Sequence, residues 1–188
     1  MLSTPSLSPK SLLAITRRVE DLPFPTISSV AGLCLTWGFE LSLACDLIWA
    51  ADSARFGLVE RVVGITPFMG GVQRVTERAG PARARELVMT GELYAADTLR
   101  QWGVINRVVA LAELPDQTQA LARGLAAGPT QAMSATKRIV RAQVDEGTRA
   151  ADERTPAIAG PLFDTEDATR AIRTFLEEGP GKATFEGR

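Results

Sequence analysis

The segment 39–51 is apolar at ten of its thirteen positions, interrupted only by Glu40, Ser42 and Asp46. A run this apolar must be buried, so the rest of the chain has to build a core around it. It is longer than an ordinary strand, and its length predicts a buried helix over 39–51. Glu40 is then the anomaly. A carboxylate carried into a core is strongly disfavoured unless it is paired or protonated. The same desolvation raises its pKa toward the range useful for acid–base chemistry. The blander reading is that Glu40, close behind Gly38, caps the first turn of its own helix.

Glu60 repeats the pattern twenty residues later, in Gly57-Leu-Val-Glu60-Arg-Val-Val-Gly64-Ile. An ion pair with Arg55 or Arg61 is its ordinary explanation. Two carboxylates in apolar runs, each beside glycine-punctuated backbone, form a less routine combination. Bare glycine lets backbone N–H groups approach a ligand that a Cβ would obstruct.

Around these positions the pattern alternates strands with helices. A helix is predicted over 11–21, stopped by Pro23 and Pro25, and a β-branched strand over 26–30. A short extended stretch follows at 54–56, and a helix opens at Gly70-Gly71. Pro81 starts a second helix to Thr90. A third, over 95–102, is closed by Gly103 ahead of a strand over 104–109. From Leu111 the chain reads as helical, with helices over 114–127, 130–146 and 165–178 and an interruption at 156–161. This order predicts an α/β core over 1–110 and a helical region over 111–188. Residues 1–9 are rich in Ser and Pro without an apolar signal core, and read as a frayed lead-in.

Charge and composition narrow the chemistry. The 188 residues carry 21 Lys and Arg against 22 Asp and Glu, a net charge of −1. That balance argues against nucleic acid as a partner, because counterion release needs a basic excess. No apolar run is long enough for a membrane span. The sequence contains no histidine, so an imidazole base, a Ser-His-Asp triad and a His-ligated metal are excluded. Cys34 and Cys45 are too few for a metal site or a disulfide framework, and as buried, reduced thiols they fit a cytoplasmic location.

The stretch Val30-Ala-Gly-Leu-Cys-Leu-Thr-Trp-Gly-Phe-Glu40-Leu-Ser-Leu-Ala-Cys-Asp46 resembles the signature of the crotonase (enoyl-CoA hydratase/isomerase) superfamily. Further matches follow in family order: Ala54-Arg-Phe-Gly57, Glu60, Gly64-Ile-Thr-Pro67, Gly70-Gly-Val-Gln-Arg74, Leu87-Val-Met-Thr-Gly91 and Trp102-Gly-Val-Ile-Asn-Arg-Val108. Phe163-Asp-Thr-Glu-Asp167, Lys182 and Phe185 are similar to the family's C-terminal end. The resemblance covers roughly residue 20 onward and implies an α/β fold of the ClpP/crotonase type. Such a fold has a core of β-β-α turns and a C-terminal helical region that forms trimers. It also implies an acyl-CoA thioester substrate, no metal, and no cofactor apart from the CoA of the substrate.

By position in the motifs, the resemblance implies that Glu40 orients and activates a water and that Glu60 transfers a proton at Cα. The backbone of Trp37 falls where an oxyanion donor belongs, and that of Phe68 where an amide helps hold the water. Leu35, Thr36, Gly38, Pro67 and Lys182 fall at substrate-contacting positions. Trp37 and Phe68 both stand where the family has glycine. The family's N-terminal portion, with its first strands and first oxyanion amide, has no counterpart in the sequence.

Enoyl-CoA hydratase is the first expectation, with an isomerase or another chemistry of the same superfamily second. A CoA-binding or assembly subunit without turnover is the third. A homotrimer, or a multiple such as a hexamer, is expected. Trp102, Val104, Ile105 and the apolar faces of 130–146 and 165–178 offer more apolar surface than the core can bury.

Overall fold

The computed structural model describes residues 9–187. Residues 1–8, nearly all of the expected lead-in, lie outside the described part. The chain divides into two compact units, one made of the chain up to Leu22 with Thr26–Thr118, the other of Pro23–Pro25 with Gln119–Arg188.

The first unit opens with α1 (Pro9–Glu20), which buries Leu12 and Thr16 and ends before Pro23. Two three-stranded sheets follow. In one, the wholly apolar strand β3 (Leu47–Ala51) lies between β1 (Ile27–Val30) and β6 (Arg107–Val109), parallel to both. In the other, β4 (Arg55–Gly57) lies between β2 (Leu33–Leu35), parallel, and β5 (Tyr94–Ala95), antiparallel. Phe39, Ile48, Phe56, Leu58, Val75, Leu87 and Leu99 fill the core, with the rings of Phe39 and Phe56 5.2 Å apart.

The predicted helix over 39–51 is corrected. Helix α2 (Thr36–Leu43) begins earlier and ends at Leu43, and the remainder is a turn followed by β3. Contacts remote in sequence cut the run in two. Thr26 donates from its N–H and its hydroxyl to Oδ2 of Asp46, both at 2.7 Å. Arg78 donates to the carbonyls of Leu43 (3.2 Å), Cys45 (2.7 Å) and Val104 (3.2 Å), satisfying the C-terminal end of α2. Arg78→Met leaves these partly buried carbonyls without their charged donor. It is expected to cost about 2–3 kcal/mol in urea denaturation, the scale of hydrogen bonds to charged groups.

Helix α3 (Gly71–Thr90) is broken at Gly80, whose φ of 81° and ψ of 166° are not helical, so Pro81 does start a new helical stretch. Strand β6 is shorter than predicted because Val104 and Ile105, 0% and 2% exposed, enter the core of their own unit. This corrects their expected role as unburied apolar surface. Trp102 is likewise occupied, packed on Tyr94 with the Arg83 guanidinium over its ring. Neither cysteine forms a disulfide; Cys34 is buried as expected, but Cys45, at the turn after α2, is only half-buried, which corrects its expected burial. No helix among the described residues is long and apolar enough to cross a membrane.

Helices α4 (Ala96–Gln101) and α5 (Leu114–Ala126) precede and follow β6 in the chain. In the second unit, α6 (Thr130–Glu146) packs against α7 (Thr148–Ala159). Helix α7 runs through Pro156 rather than stopping there. After a 3₁₀ turn, Thr165 caps α8 (Glu166–Glu178) by accepting the Ala168 N–H at 3.1 Å. The chain end is held by Asp167, which accepts from the N–H groups of Glu186 (2.9 Å) and Gly187 (2.8 Å). Ile172, Phe175 and Leu176 of α8 remain exposed.

Candidate active site

Glu40 is fully buried in α2. Its Oε1 accepts the N–H groups of Met69 and Gly71, each at 2.9 Å. Gly71 is the first residue of α3, so the carboxylate caps a different helix from its own. Its second oxygen, Oε2, has no hydrogen-bond partner among the described residues. Burial is the strongest influence on this carboxyl and pushes its pKa up. The Gly71 and Met69 N–H groups oppose that, Glu60 adds to it, and Arg74 opposes it.

Glu60 opens a 3₁₀ turn, Glu60–Val63, closed by Gly64 in the left-handed region. It is 4% exposed, and neither of its carboxyl oxygens has a hydrogen-bond partner among the described residues. The ion-pair explanation therefore fails. Arg61 donates instead to the Thr90 carbonyl at 2.7 Å, and Arg55 to the Ala54 carbonyl at 3.2 Å. Burial raises the pKa of Glu60 as well, opposed by its own backbone N–H. Two buried carboxyls, near enough for Glu60 to act electrostatically on Glu40, thus present three oxygens without a hydrogen-bond donor among the described residues. This arrangement disfavours ionising both at once.

Trp37 and Phe68 meet edge to face, with ring centroids 6.2 Å apart and planes at 85°. Trp37 is 49% exposed, so it is not an ordinary core aromatic. Trp37→Ala is accordingly expected to cost about 1 kcal/mol in urea denaturation, the value of one aromatic contact, rather than the 3–5 kcal/mol of a core truncation. Thr36, Trp37 and Gly38 form the first turn of α2, whose N–H groups have no acceptor within the helix, and Leu35 before them supplies no side-chain cap. Here Thr36, not Trp37, takes the positive φ of 47°. Pro67 is buried in the loop that carries Phe68 and Met69. Lys182 is exposed in the second unit.

Sequence reasoning passed over the donors to Glu40 and what lies behind them. The pair Gly70-Gly71 followed by Arg74 reads from sequence as a helix start and a match to the family, with nothing that ties it to Glu40. Its closeness to Glu40 shows in the backbone. A Cβ on Gly71 would stand 2.7 Å from Glu40 Cγ and 3.0 Å from Oε1, so only glycine admits the carboxylate there.

A family model described as enoyl-CoA hydratase/isomerase matches residues 3–188. Among curated proteins, a carnitinyl-CoA dehydratase of Salmonella paratyphi B is 38% identical over 162 residues, covering 84% of this chain and 62% of that protein. The chain therefore spans under two thirds of the length of that relative. Among solved structures, the enoyl-CoA hydratase subunit I of Geobacillus kaustophilus superposes with a TM-score of 0.89 at 37% identity, over 94% of this chain and 68% of that one. An enoyl-CoA hydratase of Bacillus anthracis gives a TM-score of 0.90 at 28% identity, over 96% and 69%.

Proposed function

The chain belongs to the enoyl-CoA hydratase/isomerase family of the crotonase superfamily, and from that premise we propose that its glutamates add water to, or remove it from, an acyl-CoA thioester. The observation that carries this reading is the pair of buried carboxyls, Glu40 and Glu60, with three oxygens that have no hydrogen-bond donor among the described residues. The dehydratase name of the Salmonella relative supports it.

In the hydration direction, Glu40 is ionised and held by the Met69 and Gly71 N–H groups, with Oε2 left to accept a proton from water. The water oxygen forms a bond to Cβ as its proton passes to Glu40. Glu60, whose pKa burial raises, enters this step as the protonated partner and gives its proton to Cα. The electron pair of the Cα=Cβ bond moves first onto the thioester oxygen, and this reading assigns its stabilisation to the N–H groups at the start of α2, Trp37 foremost. Turnover leaves Glu40 protonated and Glu60 ionised, and a proton passing back from Glu40 to Glu60 resets the pair. CoA enters as part of the substrate, and no step needs a metal or a resident cofactor. Leu35, Thr36, Gly38 and Pro67 of the first unit are assigned to substrate contact, and assembly as a homotrimer or its multiple belongs to the same reading.

The test is the loss of enoyl-thioester ultraviolet absorbance on mixing the protein with crotonyl-CoA. Decay that depends on both glutamates supports the reading. Decay that survives their replacement refutes it.

A further inference from the structure

The guanidinium of Arg74 sits behind the loop that holds Glu40. Its Nη1 donates to the carbonyls of Met69 (3.2 Å) and Gly70 (3.0 Å). Its Nε and Nη2 donate to the two carboxylate oxygens of Glu20 on α1, at 2.6 and 2.5 Å. Thr16, also on α1 and fully buried, donates its hydroxyl to the Met69 carbonyl at 2.7 Å. Gly70, at a φ of 94°, gives the guanidinium its space, because a Cβ there would collide with Arg74 Nη1.

The bonds join through a single peptide unit. The Gly70 carbonyl that accepts from Arg74 and the Gly71 N–H that donates to Glu40 belong to the same amide. A cation on the oxygen of an amide polarises it and strengthens its N–H as a donor. We propose that Arg74, anchored by Glu20, is a positioning residue that fixes and electrostatically supports the Glu40 carboxylate through the Gly70–Gly71 peptide. Its importance for turnover rests on the reading of Glu40 as the water-holding carboxylate, but the linkage itself does not. The titratable and charged groups acting on Glu40 are the Glu60 carboxyl from the 3₁₀ turn and the Arg74 guanidinium from α3, with Glu20 of α1 on the far side of Arg74. Removing the cation takes away an opposing influence and raises the proton affinity of Glu40.

The test is the titration of Glu40 in the whole chain, read by carbon-13 NMR of labelled glutamate and assigned by the signal missing in Glu40→Gln. Arg74→Gln is expected to move the Glu40 midpoint upward by about one pH unit, the scale of a nearby opposite charge. Arg74→Lys keeps a charge but cannot span Glu20 and both carbonyls, so it is expected to move the midpoint upward by less. An unshifted midpoint in either folded variant overturns the proposal, and if Arg74→Gln does not fold, Arg74→Lys decides alone. In turnover, the positioning role appears as a lower kcat with KM nearly unchanged. A purely structural role lowers Tm and leaves the Glu40 midpoint in place. Because the titration needs no substrate, a shifted midpoint in a chain that hydrates nothing sinks the hydratase reading and leaves this linkage standing.

Discussion

Glu60→Gln is expected to abolish nearly all hydration of a short enoyl-CoA, lowering kcat by about 10²–10⁴-fold, the usual contribution of a positioned proton donor. Glutamine keeps the shape and removes the transferable proton. Glu40→Gln is expected to lose activity on the same scale. Its amide oxygen can still accept from Met69 and Gly71, so the loss reports the missing base rather than a collapsed loop. Stability moves the other way. Both carboxyls have pKa values raised by burial above the ordinary 4.5, so the native state binds more protons than the unfolded chain over the window from there up to the raised values. Wild-type stability therefore falls as pH rises through that window. The Gln variants lack this decline, and urea denaturation at several pH values measures it. Lower activity with equal or greater stability near neutral pH is the signature of a site whose strain serves chemistry.

Gly71→Ala is the second change with a large expected effect. The φ of Gly71 is not in the left-handed region, so alanine meets no backbone strain and the whole effect comes from its Cβ. That atom would stand 2.7 Å from Glu40 Cγ. Glu40 or the helix start must give way, and the side chain that moves is the one whose carboxylate depends on the Gly71 N–H. Displacement by about 1 Å is expected to reduce kcat by about 10²-fold. The crowded core costs about 1–3 kcal/mol. Circular dichroism and urea denaturation, measured beside crotonyl-CoA turnover, separate the two effects. Full activity in Gly71→Ala would show that Glu40 does not need that amide.

The anomaly of Glu40 and Glu60 was legible because each breaks an apolar run, and burial is a property that runs of sequence report well. The α/β alternation and the helix start at Gly70-Gly71 were readable for the same reason. The division of 39–51 was not. An unbroken apolar run suits a buried helix and a buried strand alike, and what ends α2 is Arg78 and the Thr26–Asp46 bonds, from partners twenty to thirty-five residues away. Glu20 and Arg74 were invisible as partners because they lie 54 residues apart, and nothing in the sequence around either one points to the other. Val104 and Ile105 looked available for assembly because the apolar surface exceeded what the core was expected to bury, and only the fold turns them inward.

The most direct measurement is proton NMR of the product formed from crotonyl-CoA in D₂O, with the double variant Glu40→Gln, Glu60→Gln as the control. Water addition by the glutamate pair gives a 3-hydroxyacyl thioester carrying one deuterium at Cα, and the control gives none. Deuterium or a displaced double bond without a hydroxyl at Cβ, or unchanged crotonyl-CoA with the wild-type chain, would contradict it.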